Sequence, residues 1–275
     1  MPGERNQAVT TIIDGRTRHA VALPSARDRL LRMSVHLPVI NGEPGPVHAR
    51  ILVVADVLLR TLEADGHQLI WACEVPDPSP ERVRTLQTFM TALGVHSPAS
   101  FTSSSGEVLD ILGGPADVCV FGDGRHDAEP GVWVGVGRVD GTGAHGQCPA
   151  AGEDLLAIRL GLLSRPYHRP VTLTSSDVVE ADRTLLRWRE RVAHWACSPS
   201  KPVPQEVGRA AADALAADLG TPAVLDLLLR AEVADGVPEG AKFETFASLD
   251  RILGLELIRE IGRLPLREAG LFRPD

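Results

Sequence analysis

The stretch from residue 33 to residue 75 most constrains the fold, because it has the pattern of one strand–helix–strand unit. Met33–Ile40 and Gln68–Val75 are apolar runs of strand length. Between them, Val47–Ala64 carries apolar residues at intervals of three and four, which is typical of an amphipathic helix. Two strands joined through a helix pair in parallel within one sheet, so the stretch predicts an α/β fold.

The alternation of strands and helices continues along the chain. Pro80–Leu93 has Pro at its first position and one apolar face, which predicts a second helix. Ala116–Phe121 and Val132–Gly137 are apolar runs that predict buried strands, whereas the serine-rich Ser97–Gly106 is expected to be a loop. Asp154–Leu163 predicts a short helix. Together these segments predict a Rossmann-like parallel sheet.

From Ser175 onward the pattern becomes wholly helical. Apolar residues return every three or four positions through a first long helix, and they are Val178, Ala181, Leu185, Trp188, Val192 and Trp195. Further helical patterns follow at 205–219, 221–233 and 243–258. The C-terminal part is therefore expected to be a bundle of about four helices.

The chain thus divides into three predicted regions. Residues 1–30 are polar and irregular, with one short strand expected at Ala20–Leu23. Residues 31–170 are expected to form the Rossmann-like domain. Residues 171–275 are expected to form the α-helical bundle domain.

Charge and composition exclude several classes of function. The 275 residues carry a net charge of −8, which argues against non-specific nucleic-acid binding because such binding needs a basic surface. No run of 18 apolar residues and no secretory leader is found, so we expect no membrane association and a cytoplasmic location. The cysteines are widely spaced and predict free thiols in a reducing compartment; they are Cys73, Cys119, Cys148 and Cys197.

The loop between the first strand and the first helix carries a recognisable motif. His36 lies at the end of the strand, and Gly45-Pro46-Val47-His48-Ala49-Arg50 opens the helix. This arrangement resembles the start of the catalytic domain of cysteinyl-tRNA synthetases. In that family a strand ending in Cys-Gly-Pro leads to His-Ile-Gly-His-Ala-Arg at a helix start. The related cysteine ligase of mycothiol synthesis is similar as well.

Further blocks extend the resemblance through most of residues 30–255. Leu109–Asp117 resembles the family's Asp-Ile-His-Gly-Gly-Gly-x-Asp, and Asp218–Ala223 resembles its Asp-Leu-Asn-Thr-Pro. The resemblance implies the class I synthetase topology, with its large insertion and anticodon-reading module missing. It also implies a nucleotide-binding pocket at the carboxyl edge of the sheet, lined by Asn41, His48, Gly113, Gly114 and Asp117. A glycine pair before a strand is equally consistent with ordinary loop structure.

The residues that carry catalysis in the family are largely replaced. Of His-Ile-Gly-His only His48 remains. One hypothesis is that His48 contacts a phosphate or an adenylate. The hypothesis that we favour is that His48 lies at the helix start without a ligand. Thr142–Gln147 stands in place of Lys-Met-Ser-Lys-Ser and contains no lysine. The family's zinc ligands correspond to His36, Gly122 and His126, with one ligand in the missing insertion. We therefore expect no zinc, with His36 and His126 as weak metal candidates.

These departures lead to competing hypotheses for the function. The favoured one is a cysteinyl-tRNA synthetase-like pseudoenzyme, a binding or accessory protein without autonomous cysteine activation. Its ligand would be nucleotide-like or aminoacyl, including ATP or an adenylate. The alternative is an ATP-dependent aminoacyl ligase or aminoacyl transferase of specialised metabolism, rebuilt around His36, His48 and His126. A purely structural subunit is a third hypothesis. We expect no tight tRNA binding, and we expect a protein partner or self-association.

Overall fold

The computed structural model describes residues 9–23, 30–122, 130–140 and 154–263. The strands in these ranges are β1 (Thr11–Ile13), β2 (Ala20–Ala22), β3 (Leu31–His36), β4 (Leu69–Glu74), β5 (Ser100–Thr102), β6 (Val118–Phe121), β7 (Val132–Gly135), β8 (Val139–Asp140) and β9 (Val171–Thr172). The helices are α1 (Pro46–Ala64), α2 (Pro80–Ala92), α3 (Ser105–Leu112), α4 (Leu155–Leu163), α5 (Ser175–Trp195), α6 (Gln205–Ala216), α7 (Thr221–Val233) and α8 (Glu239–Leu253).

Five strands form the central sheet in the order β5-β4-β3-β6-β7. All neighbouring pairs are parallel, with His36 at the end of β3 opposite both Glu74 and Phe121. The chain builds outward from β3 in one direction through β4 and β5, and then in the other direction through β6 and β7. The predicted Rossmann-like parallel sheet is confirmed. Its topological switch point lies between β3 and β6, where such folds usually bind ligands at the carboxyl ends of the strands.

The helices cover the sheet on both faces. Leu86, Phe89 and Met90 of α2 belong to the same buried apolar cluster as α1, which places both helices on one face. Val108 and Leu112 of α3 belong to a smaller cluster on the other face. Helix α1 is buried along nearly its whole length because the sheet lies on one side of it and α4 and α8 lie on the other. It is therefore the central element of the protein.

The predicted helical C-terminal region is confirmed as α5 to α8. The indole rings of Trp188 and Trp195 pack edge-on against Phe246 of α8, with ring centroids 5.6 and 5.2 Å apart. The main apolar cluster contains residues from both the sheet and the helical region. The division near residue 170 stays a prediction, since α4 contacts both α1 and α5. Among the described residues, no helix combines the length and the apolar character needed to cross a membrane.

One local prediction was incomplete and one was wrong. The short strand expected at Ala20–Leu23 is confirmed as β2, but its antiparallel hairpin partner β1 was not predicted. The amide of Ile13 donates to Asp218 Oδ1 at 2.9 Å, a contact between residues 205 positions apart that local sequence patterns cannot reveal. The expected loop Ser97–Gly106 contains β5 and the first turn of α3, where the Ser104 hydroxyl accepts from the amide of Glu107. Serine acts there as a helix cap.

Candidate functional site

A row of polar side chains crosses the sheet at its carboxyl edge. Thr102, Glu74 and His36 are the last residues of β5, β4 and β3, and each pairs with the next in register. Paired residues of parallel strands point to the same face, so the three side chains lie side by side. We call Thr102, Glu74 and His36 the carboxyl-edge row. It lies next to the topological switch point.

The carboxyl-edge row is held by a chain of polar contacts. Nδ1 of His36 lies 3.3 Å from Oε2 of Glu74, and the hydroxyl of Ser105 donates to the same oxygen at 2.9 Å. The hydroxyl of Thr102 is buried and has no hydrogen-bond partner among the described residues. Glu74 remains 21% exposed, so its carboxylate can meet a ligand from solvent. The row therefore offers a carboxylate, an imidazole and a hydroxyl at one edge.

The contacts of His36 resemble those of a nucleophilic triad but cannot act as one. Its Nε2 lies 3.1 Å from the hydroxyl of Ser34, while Nδ1 faces Glu74. In a serine hydrolase the same order of groups activates the hydroxyl for attack on a carbonyl. Ser34, however, has no exposed surface in the middle of the central strand, so no substrate reaches its oxygen. These contacts position the imidazole, and the buried Ser34 cannot serve as its nucleophile.

Beside this row, the start of α1 is closed by its own residues. Gly45 is the N-cap, Pro46 follows without a backbone N–H, and the amide of Gly45 donates to Nδ1 of His48 at 2.9 Å. His48 is only 8% exposed, and its buried Nε2 has no hydrogen-bond partner among the described residues. Burial lowers the pKa of His48, so the ring is neutral at pH 7. The imidazole thus caps the helix instead of facing solvent.

Gly113, Gly114 and Asp117 lie at the opposite edge of the sheet. Gly113 ends α3 in the left-handed conformation with φ of +66°, and Asp117 directly precedes β6. The Asp117 carboxylate accepts from the amide of Arg32, next to the first residue of β3, at 3.0 Å. The prediction that these residues share one pocket with Asn41 and His48 is therefore wrong. A loop that enters a parallel strand lies at the amino edge, whereas helix α1 begins at the carboxyl edge.

Asn41 lies on the carboxyl-edge side, in the loop between β3 and α1, and its side chain is exposed. Residues of the same loop and of the start of α2 border a cavity of about 320 Å³. The guanidinium of Arg82 donates to the carbonyl of Ile40 at 2.8 Å and closes one side of that cavity. Binding of a nucleotide by Asn41, or by the glycine pair at the other edge, stays a prediction.

The described residues do not form a zinc site. His36 faces Glu74, Gly122 has no ligating side chain, and His126 lies outside the described residues, as does the segment 142–147. In the described part of the chain, no three His, Cys, Asp or Glu side chains come close enough together to hold a metal ion.

Sequence analysis missed the roles of Glu74, Thr102 and Ser105 in the row. The signal was the presence of polar residues at the ends of strand-like runs. Because the carboxyl ends of parallel strands share one edge, such residues are expected to lie close together. It also missed Arg50, which is 1% exposed and donates to the carbonyls of Gly137, Arg138 and Pro166. Burial lowers the pKa of Arg50 to about 10. The position of Arg50 on the apolar face of the predicted helix indicated that its side chain is buried.

Comparison with known proteins gives one partial match. No protein-family profile matches the chain. Over 110 residues the chain is 34% identical to the L-cysteine:1D-myo-inositol 2-amino-2-deoxy-alpha-D-glucopyranoside ligase of Streptomyces griseus subsp. griseus. The match covers 38% of this chain and 26% of that protein, so the chain spans about a quarter of its relative. The resemblance to a ligase of this kind is thus confirmed in part, over a limited region. A distant ligase relative fits a synthetase-like or ligase protein.

Proposed function

We propose that this chain is a synthetase-like binding protein that holds a small ligand at the carboxyl edge of its sheet. It does not activate cysteine with ATP on its own. The observation that carries this proposal is the bond from the Gly45 amide to Nδ1 of His48, which turns the remaining motif histidine into a helix cap. The ligand would be nucleotide-like or aminoacyl, including ATP or an adenylate.

The cap argues against ATP activation on physical grounds. Helix starts bind phosphate through free backbone N–H groups and through positive charge. At α1, Pro46 has no N–H, and the amide of Gly45 is already used by His48. His48 is neutral and buried, so it offers a developing phosphate charge neither a cation nor an exposed donor. Losing such donors typically lowers rates by orders of magnitude.

A second candidate function is an aminoacyl ligase or transferase of specialised metabolism. The contact of 3.3 Å between His36 Nδ1 and Glu74 Oε2 favours it, because a carboxylate that orients an imidazole is a common general-base arrangement. In this case His36 would take a proton from an incoming nucleophile, and Glu74 would stabilise the protonated ring. His48 and His126 complete the set of histidines proposed for such a site.

The partners follow from the same reasoning and are part of the proposal. With a net charge of −8 the chain would not bind tRNA tightly near physiological salt. A protein partner or a second copy of the chain is expected to cover the surface that the family's insertion would occupy. A cytoplasmic location is proposed, and zinc is not expected.

ATP–pyrophosphate exchange tests whether activation occurs. The protein is assayed with each of the twenty amino acids, beside the His36→Ala variant and a Glu190→Gln control on the exposed surface of α5. We expect no exchange above background in any sample. Robust exchange with one amino acid would contradict the proposal. If His36→Ala then abolished that exchange while Glu190→Gln did not, the enzyme candidate would replace it.

Calorimetry tests whether the carboxyl edge binds a ligand. ATP and a non-hydrolysable aminoacyl adenylate are titrated into the wild type and into the Glu74→Gln variant. We expect the adenylate to bind and Glu74→Gln to weaken its binding about three- to ten-fold, because the Glu74 carboxylate would pair with the α-ammonium group of the aminoacyl part. Absence of binding for both compounds, or affinity unchanged by Glu74→Gln, would remove the carboxyl-edge row as the ligand site.

A further inference from the structure

A cleft opens on the helical region between α5 and α7. It encloses about 480 Å³, and residues of α4 and β9 form its floor. Small-molecule sites typically measure about 300–1,000 Å³. The lining contains no residue of the carboxyl-edge row, so the cleft is a separate place in the fold.

Two polar bridges create the cleft by fixing the ends of α7. At its start, the hydroxyl of Thr221 donates to the carbonyl of Leu163 in α4 at 2.8 Å. Near its end, the buried Glu232 accepts from Nε1 of Trp188 in α5 at 2.9 Å. Between the bridges, Leu225 and Leu229 face the cleft, and Leu229 is 44% exposed although it is a large apolar side chain. The opening is therefore built into the helix packing.

Two exposed charges of opposite sign lie at the rim. Glu180 of α5 and Arg165, which follows α4, both line the cleft, and no direct hydrogen bond or ion pair of either side chain is found among the described residues. The other charged lining residues are already engaged. Asp177 accepts from the amide and the hydroxyl of Thr174, and those bonds, together with the nearby charge of Arg165, lower the pKa of Asp177. Arg187 donates to Glu232.

We propose that this cleft binds a zwitterionic small molecule with an apolar body, of the class of α-amino acids with large apolar side chains. Its ammonium group pairs with Glu180 and its carboxylate pairs with Arg165. The apolar body packs between Leu225, Leu229 and the floor. A ligand with only one charge would leave one rim charge unpaired, so the arrangement selects for the zwitterion.

Three probes separate the two charge contacts. Phenylalanine has both charges, phenylalaninamide lacks the carboxylate, and 3-phenylpropionate lacks the ammonium group. Binding is followed by the shift of the Trp188 indole N–H in ¹H–¹⁵N spectra, because this ring lines the cleft. We expect phenylalanine to bind with a Kd on the order of 1 mM. Each of the other probes should bind about three- to five-fold more weakly, as for partly solvated ion pairs.

Paired variants assign each contact. Glu180→Gln should remove the advantage of phenylalanine over 3-phenylpropionate, and Arg165→Gln should remove its advantage over phenylalaninamide. Glu190→Gln and Arg183→Gln are matched controls, because both residues are exposed on α5 outside the cleft lining and should leave the Kd unchanged. The proposal is overturned by equal affinities for the three probes or by the same loss in a control. It is also overturned by no indole shift of Trp188 at about 10 mM phenylalanine, ten-fold above the expected Kd.

Discussion

Replacing Asp56 by Asn should be among the most damaging single changes to this fold. Asp56 of α1 has no exposed side-chain surface, and its carboxylate lies at the junction of α1, α4 and the end of α2. Arg159 donates to Oδ2 at 2.5 Å, Arg60 donates to the same oxygen at 2.7 Å, and the amide of His96 donates to Oδ1 at 3.0 Å. Arg159 is itself fully buried; Asp56 is the carboxylate that its guanidinium contacts directly, and Asp250 acts on it at longer range.

The magnitude follows from the loss of one partner in a buried ion pair. An amide at position 56 keeps the shape but removes the carboxylate that the buried Arg159 guanidinium contacts directly, and breaking a buried ion pair in this way typically costs about 3–5 kcal/mol. Domains are usually stable by only about 5–15 kcal/mol, so Asp56→Asn should remove a large part of the stability. For a chain of this size the melting temperature should fall by about 10 °C.

Urea unfolding followed by circular dichroism measures this loss, with Asp226→Asn as the matched control. Asp226 and Arg230 have the same spacing of four residues and the same 2.7 Å separation as Asp56 and Arg60, but they are 60% and 67% exposed. The control should change stability by less than about 1 kcal/mol. The reasoning about burial fails if the two variants lose similar amounts of stability, because the spacing and separation of the Asp–Arg pair are matched, whereas Asp56 is buried and also accepts from Arg159 and His96.

The same pair predicts the pH dependence of stability. Burial alone would raise the pKa of Asp56, but Arg159, the bond from His96 and Arg60 outweigh it and hold the pKa well below its usual value. A lowered carboxyl pKa stabilises the folded state above the unfolded value of about 4, and this contribution is lost as the pH falls below it. The difference in free energy of unfolding between wild type and Asp56→Asn should therefore narrow below about pH 4. A gap independent of pH from 7 to 3 would contradict this assignment.

Three further substitutions test the packing in other places by urea unfolding. Gly254 has φ of +62°, and a Cβ there would lie 2.8 Å from Arg159 Nη2. Gly254→Ala should therefore lower the free energy of unfolding by more than about 2 kcal/mol. Gly236 has φ of +79° with open space around it, so Gly236→Ala should lower the free energy of unfolding by only about 1 kcal/mol. Equal losses of stability in the two glycine variants would contradict the steric argument. Glu232→Gln should lower the free energy of unfolding by about 1–3 kcal/mol, because the buried Glu232 carboxylate accepts charge-assisted hydrogen bonds from two arginines. An unchanged stability would show that these bonds are energetically neutral.

The sequence predicted those elements whose own residues carry a strong pattern. The strands β3, β4, β6 and β7 are buried parallel strands, which appear as continuous apolar runs, and the long helices have clear apolar faces. The edge strand β5 is only Ser-Phe-Thr, and a run this short and polar gives no strand signal. The N-terminal hairpin depends on contacts with residues near 217, so its stability is not encoded locally.

The candidate site was predictable to the extent that it depends on one local motif. His36 and His48 lie at the same edge because a strand end and the following helix start share an edge in such a sheet. Whether they act in one site stays a prediction. Gly113, Gly114 and Asp117 were placed at the wrong edge because their position was taken from the family resemblance, although they precede the predicted strand and therefore enter it at its amino end. Asp56 and Arg159 are 103 residues apart, and no pattern within either helix indicates that they form a pair.

Helix α1 determines which chemistry the carboxyl edge can offer. It is fixed at its start by the bond between Gly45 and His48, in its second turn by Arg50, and further along by Asp56 and Arg60. A helix held at so many points has little freedom to turn His48 outward towards a ligand, since close-packed interiors do not deform gradually. Any ligand at this edge therefore meets a preformed surface. Within the described residues, the polar groups at this edge include the carboxyl-edge row and the exposed Asn41, and the variants Glu74→Gln and His36→Ala test the row.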